Sequence, residues 1–187
     1  MSNNIWQDGL LKKTIKTSGI AVIPTDTVYG IVGRADNKNT VERIYETRRR
    51  NPDRPCIILI GDVDDMNNFS IKPSTSQIEA LKQYWPGPVS IIFDCLDEKF
   101  SYLHRGTNTL AFRLPQDEDL REFLKEAGPI IAPSANPEGY PTAKSVEEAQ
   151  GYFGDAVDCY VDGGVKEGKP SKVIKLKDDG SVLIIRE

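Results

Sequence analysis

Ile20-Ala21-Val22-Ile23-Pro24-Thr25-Asp26-Thr27-Val28-Tyr29-Gly30 is a short apolar run that stops at a cluster of hydroxyl, carboxylate and phenol groups. The run has the length and β-branched content of a buried strand; Pro24 removes a backbone donor and ends the ladder, and Gly30 permits a turn that other residues resist. Four polar side chains in five positions are thereby held at a strand's exit, where open α/β sheets bind ligands. A merely solvated turn asks for neither the bulk of Tyr29 nor the pattern Thr25-Asp26-Thr27.

Outward from this stretch the chain alternates helix-period and strand-period segments, with no repeat, low-complexity tract or Ser/Gly linker. Helices are predicted at 6–17, at 39–49 with Asn39 as its cap, at 74–85, at 117–127 closed by Gly128, and at 145–153 opened by Ser145. Strands are predicted at 20–23, 56–60, 89–94, 109–114, 129–132, 158–162, 173–177 and 181–186. The last three follow one another without helices, which implies antiparallel neighbours and a mixed sheet. The fold class is therefore α/β: one domain, residues 1–187, with a twisted mixed sheet flanked by helices and a concave ligand-binding face.

Composition removes several classes of chemistry. The 187 residues suffice for one core, since a domain of ~150 residues buries roughly two-thirds of its unfolded surface. No apolar run approaches the ~18 residues of a membrane span, and Met1-Ser2-Asn3-Asn4-Ile5-Trp6 lacks the pattern of a secretory leader. The expected location is the cytoplasm, which makes the sequon Asn68-Phe69-Ser70 a chance match and Cys56, Cys95 and Cys159 buried thiols. With a single histidine, His104, neither a multi-histidine metal site nor a histidine-based nucleophile scheme is well supplied. A net charge of −4 opposes indiscriminate adherence to nucleic acid, though a local basic patch remains open.

Three other stretches carry candidate chemistry. Arg48-Arg49-Arg50, followed at Arg54, is the densest positive cluster, and Arg48 falls seven residues after Val41, on the inward face that also carries Ile44 and Tyr45. An inward arginine requires an anionic partner such as a phosphate; the competing reading is complementation of the helix dipole, which accounts fully for Arg49. Pro129-Ile130-Ile131-Ala132-Pro133-Ser134-Ala135-Asn136-Pro137 is a second buried strand running into a stiffened polar turn, with Ser134 and Asn136 two positions apart. Such a turn suits phosphate oxygens. In Thr109-Leu110-Ala111-Phe112-Arg113-Leu114-Pro115, Arg113 either pins a carboxylate or makes a surface ion pair. Gly163-Gly164-Val165-Lys166-Glu167-Gly168-Lys169 has P-loop glycine spacing, but Pro170 stands where Ser or Thr belongs and a strand follows, so 163–170 reads as a flexible connection.

Taken together, Pro24 to Gly30, Arg48-x-Arg50 ahead of Pro55, Tyr84-Trp85-Pro86-Gly87-Pro88, Arg113-Leu114-Pro115 and Pro133-Ser134-Ala135-Asn136 resemble the YrdC/Sua5/TsaC family in type and order, from about Ile15 to Arg186. The length resembles its short members without the extra C-terminal Sua5 domain. The resemblance implies L-threonylcarbamoyladenylate synthesis from L-threonine, bicarbonate or CO2, and ATP with Mg2+, the first step of threonylcarbamoyladenosine (t6A) formation in tRNA. Transient contact with tRNA or the downstream threonylcarbamoyl transferase belongs to that implication.

By the same resemblance Arg48, Arg50, Ser134 and Asn136 form the catalytic and ATP-binding set, Arg54, Thr109, Thr142 and Arg186 add nucleotide contacts, and Thr27, Arg113 and Ser171 hold threonine. Arg48 departs from the family's usual lysine, Asn51 from its proline and Lys172 from its threonine. The metal ligands stay unassigned, with Asp26 open to either magnesium or the substrate amine. Two rivals stand beside this reading: a non-enzymatic RNA-binding module of the same fold, and a carbamoyl-transfer domain like that of the much longer hydrogenase-maturation proteins.

The arginines also set a geometric demand. In a wholly parallel sheet the loop after residue 23 and the helix end at Arg48 would sit on opposite edges. Sharing a ligand requires a mixed, twisted sheet or a turn at 49–55 that brings the arginines across its concave face.

Overall fold

The structure is a computed structural model that describes residues 4–187; Met1–Asn3, part of the stretch inspected for a leader, lie outside it. Helix α1 (Gly9–Lys16) is capped by Asp8, whose carboxylate accepts from the Leu10 and Leu11 amides, and a separate 3-10 turn at Ile5–Gln7 precedes it, so the predicted 6–17 helix is two pieces. Strand β1 (Ala21–Pro24) then pairs antiparallel with β2 (Tyr29–Arg34).

Strand β2 is not among the strands predicted from the sequence. Gly30 and Gly33 lower strand propensity and disguise it, but Pro24 pairs with Tyr29 in register and the polar residues 25–28 are a hairpin turn. Gly33 has its own packing reason: a Cβ there would stand 2.3 Å from Thr40 Cγ2 of the helix above.

That helix, α2 (Lys38–Arg48), is capped by Asn37 and not by Asn39. Its C-cap Arg49 adopts the left-handed conformation at φ 51°, which turns the chain toward β3 (Ile57–Leu59). Helix α3 (Thr75–Leu81) stops short of the predicted residue 85 and gives way to turns before β4 (Val89–Asp94). The short α4 (Ser101–His104), β5 (Thr109–Arg113), α5 (Glu118–Ala127), β6 (Ile130–Ile131), α6 (Val146–Phe153), β7 (Cys159–Tyr160), β8 (Lys172–Leu176) and β9 (Val182–Arg186) complete the chain.

Among the described residues the strands form one mixed sheet in the order β7-β1-β2-β6-β3-β5-β4-β8-β9. The parallel pairs are β1 with β7, β3 with β5, and β4 with β8; the others are antiparallel. Strands β8 and β9 form the expected hairpin, whereas β7 joins the opposite edge beside β1.

The two faces of the sheet are covered unequally, and that places the site. One face carries Val22, Ile31, Ile58, Ile91, Phe93, Phe112 and Ile174 into the larger core, against Val41 and Ile44 of α2 and Leu81 of α3. The other face is covered by Leu11 and Ile15 of α1 and by Leu120, Phe123 and Leu124 of α5, over Ile23, Val32, Leu59 and Ile130. Burying each of these side chains contributes about 1.5–3 kcal/mol. Past Leu59 this second cover ends, and the face over β5, β4 and β8 opens as a cleft.

Candidate functional site

The cleft has a volume of about 420 Å³, within the ~300–1,000 Å³ of small-molecule sites. Its floor is the sheet face itself: Thr109, Ala111 and Arg113 at alternate positions of β5, Ile92 of β4, and Val173 of β8. The β1–β2 turn contributes Thr25 and Thr27, the exit of β6 contributes Ala132, Pro133 and Ser134, and the opposite rim holds Ser171 and Arg186. The site therefore lies on a sheet face and not beyond strand ends; the turn read first in the sequence is one of its walls.

Charge in the cleft is one-sided. Arg50, Arg113 and Arg186 line it and, among the described residues, no carboxylate does, Asp26 standing behind Arg113, in a chain of net charge −4. A concave surface of this kind concentrates anions. Hydroxyls of Thr25, Thr27, Thr107, Thr109, Ser134 and Ser171 surround the arginines.

Arg113 is 4% exposed. Its Nη1 donates to Thr27 Oγ1 at 3.0 Å and lies 3.1 Å from Asp26 Oδ1. That second approach is off the hydrogen-bond direction, which leaves Asp26 Oδ1 buried without a hydrogen-bond partner; Arg113 Nε is also buried and unpartnered. Burial lowers the Arg113 pKa and the Asp26 charge opposes the shift. Asp26 Oδ2 accepts from the Gln116 amide at 3.0 Å, which ties the hairpin turn to the chain beyond β5. Thr27 Oγ1 is also 3.0 Å from Thr25 Oγ1.

Arg50 reaches the cleft because the turn after α2 carries it there. Its Nε and Nη2 donate to the Arg54 and Pro55 carbonyls at 3.1 and 3.0 Å, and its guanidinium stands 5.7 Å from the Tyr45 ring. Five donors leave capacity for a ligand after those two are used. Ser134 is held beside it by continuation of the β6 path along β2, where Ile31 donates to Pro133 O at 3.0 Å and Ala135 to Tyr29 O at 2.8 Å. At the far rim Arg186 Nη2 donates to Ser171 O at 2.7 Å, and Ser171 Oγ is 2.8 Å from Ser90 Oγ.

Arg48 and Asn136 stand behind this wall. Arg48 is 3% exposed, donates from Nε to Asn136 O at 3.0 Å, and reaches Ser134 Oγ and Asn136 Oδ1 from Nη2 at 3.4 Å each. Its Nη1 is buried without a partner, and burial together with the neighbouring Arg50 lowers its pKa to about 10. The inward placement expected from the helix period is present, but the partners are neutral oxygens of the Ser134–Asn136 turn.

Arg54 lies outside the cleft and pairs with Glu138 at 3.4 Å. Thr142 lines an adjoining hollow of about 230 Å³ that shares Val28 and Pro170 with the main cleft. Thr25 belongs to the polar cluster at the strand exit, whereas Thr107 carries no motif in the sequence; its hydroxyl donates to the His104 carbonyl at 2.6 Å and lies 3.0 Å from Thr109 Oγ1.

The 163–170 segment is also better fixed than its composition promised. Tyr29 Oη accepts from Gly163 N and donates to Gly164 O, both at 2.8 Å, and Lys166 N donates to Lys144 O at 2.8 Å.

A family model for Sua5/YciO/YrdC, described as telomere recombination, matches residues 13–187. The chain belongs to the Sua5/YciO/YrdC family. It is 30% identical over 187 residues to the threonylcarbamoyl-AMP synthase of Bacillus subtilis (strain 168), covering 98% of this chain and 54% of that protein. It is 28% identical to the threonylcarbamoyl-AMP synthase of Marinobacter nauticus, with 94% of both chains covered. The crystal structure of P. abyssi Sua5 complexed with L-threonine superposes with a TM-score of 0.82 at 29% identity, over 92% of this chain and 50% of that one. This Sua5/YciO/YrdC chain thus spans about half the length of the first curated relatives it matches.

Proposed function

We propose that the protein forms L-threonylcarbamoyladenylate and pyrophosphate from L-threonine, bicarbonate or CO2, and ATP, in the cytoplasm, for t6A modification of tRNA. The observation that carries this reading is a cleft with three arginines, a surround of hydroxyls and, among the described residues, no lining carboxylate, in a chain similar in sequence to threonylcarbamoyl-AMP synthases. Two anionic substrates must be brought together in this reaction, and the residues supply that and no nucleophile.

The threonine amine forms a C–N bond to CO2 and loses a proton to give the carbamate; from bicarbonate the same carbamate forms with loss of water. A carbamate oxygen then attacks the α-phosphorus of ATP, a P–O bond forms, the α–β phosphoanhydride bond breaks, and pyrophosphate leaves. Arg113 pairs with the threonine carboxylate and Thr27 with its polar groups, on the side of the cleft where they are already bonded to each other. Arg50 and Ser134 meet the phosphates, with Thr109 and Arg186 completing the nucleotide side. Arg48 and Asn136 shape the Ser134 turn from behind. Fixed donors of this kind stabilise charge on the transferring phosphorus and the leaving group without reorganising during the reaction.

Among the described residues no three His, Cys, Asp or Glu side chains converge to hold an ion. Mg2+ enters the proposal as a companion of the ATP phosphates, which hold it with few protein oxygens. The product passes to a transferase acting on tRNA.

Pyrophosphate release measured with and without threonine and bicarbonate tests the reading. Release that needs both, and that falls at least tenfold in Arg50→Ala and Ser134→Ala, is expected. Release from ATP that ignores threonine would sink it.

A further inference from the structure

We infer that Tyr29 is a positioning residue for the amino-acid side of the cleft: its hydroxyl latches the 163–170 strap, which sets Pro170 and Ser171 at the rim. The inference rests on the proposed function for the identity of the substrate, and on the geometry below for the latch.

The Tyr29 ring is fully buried in the larger core, yet its hydroxyl faces the strap and uses both of its capacities there, accepting from Gly163 N and donating to Gly164 O at 2.8 Å each. Beyond the latch the strap runs flush along the hairpin turn. A Cβ at Gly163 would stand 2.4 Å from Pro24 Cγ, and one at Gly168 would stand 2.0 Å from Thr27 O. A rigid proline ring that close at one end and a backbone carbonyl that close at the other leave room for glycine alone without a shift. Between them Lys166 N donates to Lys144 O at 2.8 Å.

The strap has little apolar burial of its own, since Val165 is 69% exposed and Glu167 to Pro170 are exposed. A segment in that state is held by its few polar contacts, so the phenol hydroxyl counts for more than its size. What the strap delivers is part of the site. Pro170 and Ser171 line the cleft, and the Ser171 carbonyl accepts from Arg186 Nη2. The sequence Thr27-Val28-Tyr29 thus has two functions on one turn: Thr27 faces the cleft, and Tyr29 fixes the segment that lies against Thr27.

Two variants approach the latch from opposite sides. Tyr29→Phe keeps the buried ring and removes the hydroxyl; Gly168→Ala keeps the hydroxyl and pushes the strap off the Thr27 carbonyl. Calorimetry with L-threonine in the presence of ATP is expected to show about a tenfold weaker threonine affinity in each, the size of losing one to two neutral hydrogen bonds, with ATP affinity unchanged. Trypsin should cut after Lys166 about tenfold faster in both, at unchanged thermal midpoint for Gly168→Ala; Pro170 blocks cutting after Lys169. Parent-like threonine affinity and parent-like cutting in both variants overturn the latch. A parent protein that binds no threonine instead overturns the proposed function and the positioning role with it, which separates the two failures.

Discussion

Arg113 Nη1 donates to Thr27 Oγ1 at 3.0 Å, joining the end of β5 to the β1–β2 turn across 86 positions of sequence. Arg113 Nε is buried and unpartnered beside a cleft that, among the described residues, no carboxylate lines. A guanidinium held this way by a hydroxyl and a misaligned Asp26 is poised for a better acceptor, and a substrate carboxylate is one.

Replacing Arg113 by Lys should therefore lower kcat/KM for threonine by about 100-fold, because a single ammonium cannot reproduce a planar fork. Arg113→Ala should also cost about 3 kcal/mol of stability by leaving Asp26 without its counter-charge. Steady-state kinetics and urea unfolding separate the two effects. An Arg113→Lys enzyme with unaltered threonine dependence would refute the assignment.

Arg48 and Arg50 should behave differently although they stand two positions apart. Arg50 lines the cleft, so Arg50→Ala should raise KM for ATP at least tenfold with stability changed by less than about 1 kcal/mol. Arg48 is buried behind the Ser134–Asn136 turn, so Arg48→Ala should lower stability by about 2–3 kcal/mol, the cost of orphaning the oxygens it now satisfies. Chemical denaturation of both variants beside ATP titrations checks this; equal stability losses would contradict the placement.

Gly33→Ala tests the seat of α2. The new methyl would lie 2.3 Å from Thr40 Cγ2 and 3.2 Å from Ile44 Cδ1, and overpacking of that kind costs about 1–3 kcal/mol. Because α2 ends at the Arg48–Arg50 turn, ATP affinity should fall together with stability. Thr40→Ser in the same chain removes the colliding methyl and should restore both, measured by thermal unfolding and nucleotide titration.

Asp158 supplies the pH test. Its carboxylate accepts from Arg43 at 2.6 and 2.9 Å and from the Ile20 amide at 2.8 Å, and the Arg43 bond, followed by the amide, holds its pKa below the usual carboxylate value. With the folded pKa depressed, its contribution is complete above about pH 4, the unfolded value, and disappears as pH falls through the folded pKa. The pair is 40% and 38% exposed, so after solvent screening the contribution is about 0.5–1 kcal/mol. Asp158→Asn should lower the urea midpoint at pH 7 and match the parent near pH 2. A constant difference across that range would show that charge is not the cause.

Most strands and helices are legible in the sequence because burial imposes its period directly. Val89–Asp94 is found at its observed bounds, and the Ser145 cap of α6 and the Gly128 stop of α5 follow from local backbone chemistry. Strand β2 is not legible: two glycines suppress the local signal, and the reasons for them are the close approach of α2 at Gly33 and the bridge between Gly30 and Ser134. Arg48 is half legible. The helix period turns it inward, but only packing supplies the neutral Asn136 carbonyl in place of an anion.

The sequence by itself determined the α/β class, the family pattern, and the residue types of the cleft, since these depend on spacing along one chain. Tertiary structure alone decided which of them share a space. The mixed order that sets β6 between β2 and β3 brings Ser134 beside Gly30, and the incomplete cover by α1 and α5 leaves the floor of β5 open. The Pro24–Gly30 turn becomes a wall because Arg113 and the 163–170 strap close on it, contacts between segments far apart in sequence that no local pattern encodes.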